Sequence, residues 1–442
     1  MADIAPLTPL RYDLARLPGS LAPVVAPPYD VISAAERVQL AERHPHNVVR
    51  LILPEGEGDA KYANAARILG TWVDERVLVR DPAPAFYRLE QTFLPPGGAA
   101  KPIVRRGFLA LVRLAPFSER IVLPHERTLS GPKEDRLKLF RATRTNLSPG
   151  FMLYRDPQAE LDAHLDSAVV LSEFSTPDGV RHSLAKVGDP GAIRAIVAGI
   201  ARSTLLIADG HHRYETAMRY AEETTAANPQ APVRAEHRFF MTFLANGDAP
   251  SLVVFPTHRH VHSLAGFSFD DLLRKARESV FAVTELARGA SAENLVSALR
   301  QSGKTTKLAA AAPDGRTAVL ELRADADLDR HPTLGAQAPV LRTTDVVVLH
   351  TGILQPILGI TPEAQAAKTN LWYPQDAAAA LAELRAGRGD VLFLMNPTPA
   401  AQVRNVAEAG HVMPQKSTFF YPKVPTGLAI HTLEPSRVVA SV

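Results

Sequence analysis

The chain has 442 residues, a formal net charge of +3, 46% hydrophobic and 21% charged residues, a balance that predicts a globular protein of two or three domains and excludes predominant disorder. Only 11 of the 49 basic residues are Lys, and the basic residues are spread along the chain, which argues against a nucleic-acid surface. The absence of Cys excludes disulfides, thiolate catalysis, iron–sulfur clusters and cysteine-ligated zinc. With no signal-like N-terminus and no apolar run near the ~20 residues that cross a bilayer, a cytoplasmic location with no membrane contact is expected.

The first elements follow a proline-stiffened segment. Pro27 and Pro28 present Tyr29 and Asp30 from a fixed loop, after which Asp30 or Ser33 either caps a helix from Ala34 or meets a ligand. A short strand is expected at Val48–Leu53. Strands at Ala85–Phe93 and Val104–Leu114 follow, separated by the turn signal Leu94-Pro95-Pro96-Gly97-Gly98. Next comes a segment dense in proton-moving and anion-binding groups, with His125, Glu126, Thr128, Ser130, Lys133 and Arg136 running into a helix. Its spacing is not that of a P-loop, so its nucleotide signal is generic.

From Leu161 to Phe255 strands and helices alternate. The Pro190–Ala201 helix buries Ile193, Ile196 and Ile200, Phe239–Leu244 reads as a strand, and Asn246-Gly247-Asp248 reads as a hairpin turn to a partner at Leu252–Phe255. The loop after it, with His258 and His260, is expected to lie near Asp209. Phe269–Arg300 reads as helical, strands are expected near Lys307 and at Ala318–Arg323, and Thr343–His350 is an apolar segment carrying Asp345 and His350. Val391–Met395 is a strand, and a helix at Gln402–Ala409 stops at Gly410. The run at 413–423 then places Lys416, Ser417, Thr418 and Lys423 beside three aromatics, a cover suited to an anion or nucleotide. Three stretches are expected, at 1–160, 161–262 and 263–442.

The most informative segment is 203–217. An apolar strand ends in Asp209, Gly210, His211, His212, Arg213 and Glu215, while Tyr214, Ala217, Met218 and Ala221 recur at helical spacing, so the polar cluster occupies a strand-to-helix turn. The start of a helix offers backbone N–H groups and the positive end of its dipole, and Gly210 allows a phosphate or carboxylate to approach closely. Two chemistries are open. Asp209, His211, His212 and His258 or His260 have the ligand types of a metal-dependent hydrolase; alternatively, Arg213 and the helix start hold phosphate.

These motifs carry a resemblance. Pro-Pro-Tyr-Asp-Val-Ile at 27–32, His-Glu-x-Thr with Gly-Pro-Lys-Glu-Asp-Arg at 125–136, Asp-Gly-His-His-Arg-Tyr-Glu-Thr-Ala at 209–217 and Met-Pro-x-Lys-Ser-Thr-Phe-Phe-Tyr-Pro-Lys at 413–423 together resemble, end to end, the bacterial and archaeal family known as domain of unknown function 1015. The Asp-Gly-His-His-Arg stretch is also similar to the ParB/sulfiredoxin superfold, one branch of which comprises ADP-dependent free-serine kinases. The resemblance implies a mixed α+β (α/β) fold, with a central ParB/sulfiredoxin-like strand–helix unit elaborated by N- and C-terminal α+β regions.

It further implies phosphate and metal binding by the Asp-Gly-His segment and Glu126 as a catalytic carboxylate; the residue types themselves make Asp209, His211 and His212 candidate catalytic residues, with Asp209 a ligand of Mg²⁺. Gly210, Arg213, His125, Lys133, Arg136, Tyr29, Asp30, Lys416, Ser417, Thr418 and Lys423 are the expected substrate or phosphate contacts. The expected activity is phosphoryl transfer, as a kinase or phosphatase, on a small hydroxyl metabolite such as serine or O-phosphoserine, with an adenine nucleotide as partner. A non-catalytic nucleotide-binding regulator is the other alternative.

Overall fold

The computed structural model describes the whole chain except residues 18, 96–100, 129, 301–304 and 343. It is a mixed α+β structure in two compact units. The first comprises Met1–Pro124, Thr128–Val253 and Pro422–Val442, the second His125–Arg127 and Val254–Tyr421. The chain's last segment, Pro422–Val442, belongs to the first unit.

The first unit is built on a nine-stranded sheet. Its order is Val122–Leu123, Leu205–Asp209, Gly150–Tyr154, Phe239–Asn246, Ile103–Arg113, Phe86–Phe93, Arg181–Val187, Val169–Ser175, with Ile4–Ala5 added beside Ile103–Arg113. Every residue of the central Phe239–Asn246 strand is buried, as its mostly apolar sequence, interrupted only by Thr242 and Asn246, suits a strand covered on both faces. Gly150 allows the close packing there, since a Cβ on it would lie 2.4 Å from the Phe240 ring. Ile193, Ile196 and Ile200 of the Pro190–Ala201 helix pack on the sheet with Phe86, Phe108, Met152 and Ile207. That helix begins sharply because Asp189 accepts a hydrogen bond from the Ala192 N–H (2.7 Å) and Pro190 takes its first position.

The second unit carries a six-stranded antiparallel sheet ordered Phe281–Glu285, Thr317–Leu322, Lys307–Ala311, Val391–Met395, Arg259–Val261, Leu371–Trp372. Leu295, Leu299, Leu381, Leu384, Leu392 and Leu394 form its core.

Three local expectations are corrected. Val49–Ile52 is a short helix rather than a strand: its apolar residues satisfy their backbone through the Asn47 side chain and helical bonds such as Leu53 N–H to Val49 O (2.8 Å). Asn246–Asp248 turns the chain, but Val253–Phe255 pairs with Phe419–Tyr421 instead of folding back on its predecessor, and Phe255 stacks on Tyr421 at 4.5 Å. The 269–300 region is two helices, Phe269–Glu278 and Ala292–Arg300, divided by the Phe281–Glu285 strand. The turn expected at Leu94–Gly98 falls largely on 96–100, outside the described residues.

Candidate functional site

The strand-to-helix turn forms as its sequence predicts. Leu205–Asp209 pairs antiparallel with Gly150–Tyr154, but the register slips between Ile207 and Asp209, a bulge that re-aims the end of the strand. Gly210 follows at φ 92° and ψ 29°, in the left-handed region, and the His211–Ala227 helix begins. Unlike the helices capped by Ser33 and Asp189, this one has no capping side chain. The Arg213 guanidinium passes over Gly210, where an added Cβ would meet Nε at 3.0 Å and Cζ at 3.1 Å.

Asp209 lies between two cations. Lys423 Nζ donates to Oδ2 at 3.1 Å, and Arg213 Nη2 lies 3.4 Å from Oδ1. Arg213 is buried and also donates to the Pro149 carbonyl. The placement of Lys423 depends on two residues that were not anticipated. Arg105, 1% exposed, donates to the Pro422 carbonyl and to the Gln91 side-chain oxygen, while Gln91 Nε2 donates to the Lys423 carbonyl at 3.0 Å. The Arg105 guanidinium rests over the Phe151 ring at 4.7 Å. No signal in the sequence separates buried Arg105 from its strand neighbour Arg106.

Tyr29 and Arg136 adjoin this turn. The Arg136 guanidinium lies 4.3 Å from the Tyr29 ring centre, donates to the Ile52 carbonyl (2.7 Å) and pairs with Asp135. Burial works against charge on Asp135, yet Arg136, Lys61 and Tyr62 hold its carboxyl down at about 2. Burial also raises the Tyr29 phenol. A void of about 20 Å³ lies among Tyr29, Arg136, Asn146, Ser148 and Arg213, room for one water and too small for phosphate. Asp30 is exposed in the 3₁₀ turn Tyr29–Val31, and Ser33 rather than Asp30 caps the next helix, in a reciprocal capping box with Glu36.

Lys133 lies in the first turn of a helix. The helix starts at Ser130, and Lys133 Nζ donates to Glu215 at 2.7 Å and to Thr128 Oγ1 at 3.2 Å. Glu215, one turn beyond His211, also accepts from Thr128. His211 is buried and His212 half-buried.

The other expected contacts belong to the second unit. His125 is fully buried, with Nε2 2.8 Å from Thr418 Oγ1, and its carbonyl accepts from Met413 N–H at 2.8 Å, so the two motifs lie side by side. Glu126 bridges to Met413 in the same ladder. Lys416 takes a left-handed φ of 56°, and the Ser417 hydroxyl donates to Pro414 O. Behind them Arg259, completely buried, donates to the Lys416 carbonyl (3.1 Å) and through Nε to His350 Nε2 (2.8 Å). His350 Nδ1 meets Gln365 Oε1 at 2.8 Å, which fixes its tautomer with the proton on Nδ1. Burial first, and then Arg259, push His350 down to about 3, and burial lowers Arg259 to about 10. His258 accepts from Met395 N–H, and His260 packs edge-on to Trp372.

Among the described residues no three His, Asp or Glu side chains are placed to hold a metal ion. The expected ligand of Mg²⁺, Asp209, has each carboxylate oxygen facing a cation. As placed, the Asp209 carboxylate does not fit a magnesium ion bound directly to it.

The chain belongs to the family described as "Protein of unknown function (DUF1015)", whose model matches residues 4–347. No curated protein matches the sequence. Among solved structures it is similar to a conserved hypothetical protein from Pyrococcus furiosus (13% identity, 73% of this chain and 95% of that one, TM-score 0.36). It is also similar to a mutant free serine kinase in complex with ADP (12%, 77% and 97%, TM-score 0.38) and to a C-terminally truncated SbnI from Staphylococcus aureus (11%, 73% and 87%, TM-score 0.34). Similarity at that level assigns neither ligand nor reaction. No helix among the described residues is long and apolar enough to cross a membrane.

Proposed function

We propose that the chain binds the phosphate of an adenine nucleotide or phosphorylated metabolite at the Asp209–Arg213 turn and transfers a phosphoryl group to or from a small hydroxyl compound of the serine class. The observation that carries this reading is the pair of cations on Asp209. Lys423 and Arg213 flank a glycine-opened helix start, so a phosphate there meets two positive groups and the positive end of the helix dipole. Asp209 holds both side chains ready in the absence of the anion, which is the preorganisation phosphoryl transfer needs.

In the kinase direction, the substrate hydroxyl oxygen forms a bond to the terminal phosphorus as the bond from that phosphorus to its bridging oxygen breaks. The hydroxyl proton passes to the half-buried His212 imidazole, and the departing nucleotide, one phosphate shorter, keeps the bonding pair on its former bridging oxygen. Arg213 and Lys423 neutralise charge on the transferred group. Purified chain incubated with ATP, ADP or AMP together with serine or O-phosphoserine, followed by phosphorus NMR, tests the reading. New phosphoester or phosphate signals that vanish in Asp209→Ala support it; full turnover in that variant contradicts it.

A second reading rests on a specific observation. Because Lys423 and Arg213 both engage Asp209, the turn also suits a nucleotide-binding regulator that performs no chemistry. Nucleotide bound and released unchanged in every pairing favours that alternative.

A further inference from the structure

A groove of about 470 Å³ follows the C-terminal half of the His211–Ala227 helix, remote along that helix from the Gly210 turn. Its floor is apolar, made by Leu114, Ala115, Met218 and Ala221. Its rim carries Arg238, Arg113 and Glu222.

Arg238 distinguishes this groove from an ordinary surface depression. Its Nε is shielded from solvent and has no hydrogen-bond partner, and among the described residues its guanidinium makes no ion pair. The neighbouring acid is already engaged: Asp3 receives Arg234 at 2.9 and 3.1 Å and lies 3.8 Å from Arg113. Glu222 is exposed and forms no ion pair with Arg238. A half-buried guanidinium without an acidic partner among the described residues, beside an apolar groove, leaves its Nη donors to receive an anion.

The groove is also held in shape. The Leu114 N–H donates to the Arg238 carbonyl at 2.9 Å. The Tyr214 hydroxyl clamps Ala115 from both sides, donating to its carbonyl at 2.8 Å and accepting from its N–H at 3.0 Å. A largely preformed pocket with an apolar floor and one convergent charged group is the usual form of a small-molecule site.

We propose that this groove binds a small organic anion with an apolar body, its carboxylate or phosphate on Arg238 and its hydrocarbon part over Met218 and Ala221. The proposal is independent of the chemistry at Asp209. Calorimetric titration of the full chain with octanoate and with phenyl phosphate separates the two anion sources, and octanol and inorganic phosphate serve as the half-ligands.

At least one apolar anion is expected to bind saturably and more tightly than either half-ligand. Arg238→Gln, which breaks no hydrogen bond of the fold, is expected to weaken it about tenfold or more, in line with loss of a charge-assisted hydrogen bond. Met218→Trp, which fills the groove, is expected to weaken it as well, with an unchanged circular dichroism melt as the check on folding. Saturable binding that neither variant alters, inorganic phosphate binding as tightly as phenyl phosphate, or no saturable binding of either anion overturns the proposal.

Discussion

Lys423 Nζ and Asp209 Oδ2 stand 3.1 Å apart across 214 residues of sequence. Their pairing joins the last motif of the chain to the strand-to-helix turn within one compact unit. Both side chains are largely shielded, at 18% and 17% exposure, so their attraction is screened less than that of a surface pair.

Substituting Lys423→Met is therefore expected to weaken ADP binding by roughly tenfold to a hundredfold, the loss of one charge-assisted phosphate contact, while the melting temperature moves little. Titration calorimetry measures the change. An unaltered dissociation constant removes Lys423 from the phosphate site.

Gly210→Ala acts on the same site through the backbone. At φ 92° an alanine is strained by about 1 kcal/mol or more, and its Cβ would press on the Arg213 guanidinium at 3.0–3.2 Å. Urea unfolding is expected to show that loss, and ADP affinity to fall with it as Arg213 is displaced. A wild-type urea midpoint together with wild-type affinity refutes this account of the turn.

Arg105→Met preserves the apolar packing against Phe151 but strips donors from the Pro422 carbonyl and Gln91. Leaving buried acceptors without their donor costs on the order of 1–3 kcal/mol. Because Arg105 acts by holding the segment that carries Lys423, the Arg105→Met and Lys423→Met effects on ADP binding are expected to be less than additive. Strict additivity in a double-mutant cycle contradicts the positioning role.

The second unit predicts a pH dependence. Burial and then Arg259 keep His350 near 3 and His258 near 4, whereas the unfolded chain protonates them around 6.5. Below pH 6.5 the unfolded state takes up protons that the folded state refuses. Stability is thus full above that pH and falls by about 1.4 kcal/mol per pH unit for each imidazole as pH drops toward 4. Urea midpoints from pH 8 to 4.5 follow the loss. His350→Gln, which offers Arg259 an acceptor that does not titrate, is expected to flatten the slope; an unchanged slope shows that His350 is not among the groups responsible.

Much of this organisation is legible in the residues alone. The turn at Gly210 and the helix that Asp189 and Pro190 start follow from local signals: a glycine after an apolar run and a capping side chain before a proline. The meeting of Lys423 with Asp209 does not, because it spans 214 residues and rests on Arg105 and Gln91. The short helix at Val49–Ile52 is not legible, because three apolar residues around Arg50 satisfy either period and the Asn47 side chain, accepting from Val49 N–H, helps decide between them. The pairing of Val253–Phe255 with Phe419–Tyr421 is likewise non-local, and no turn residue announces it. Lys133 and Glu215 are each suited to ligand binding, yet they neutralise one another at 2.7 Å, which charge type alone does not reveal.

The most direct test of the phosphate-holding turn is titration of ADP into the wild-type chain and into Arg213→Gln, with circular dichroism confirming that both fold. Saturable binding in the wild type that drops at least tenfold or so in the variant is the predicted result. Equal affinity in the two proteins, or no binding to the folded wild type, contradicts the assignment of the Asp209–Arg213 turn as the nucleotide site.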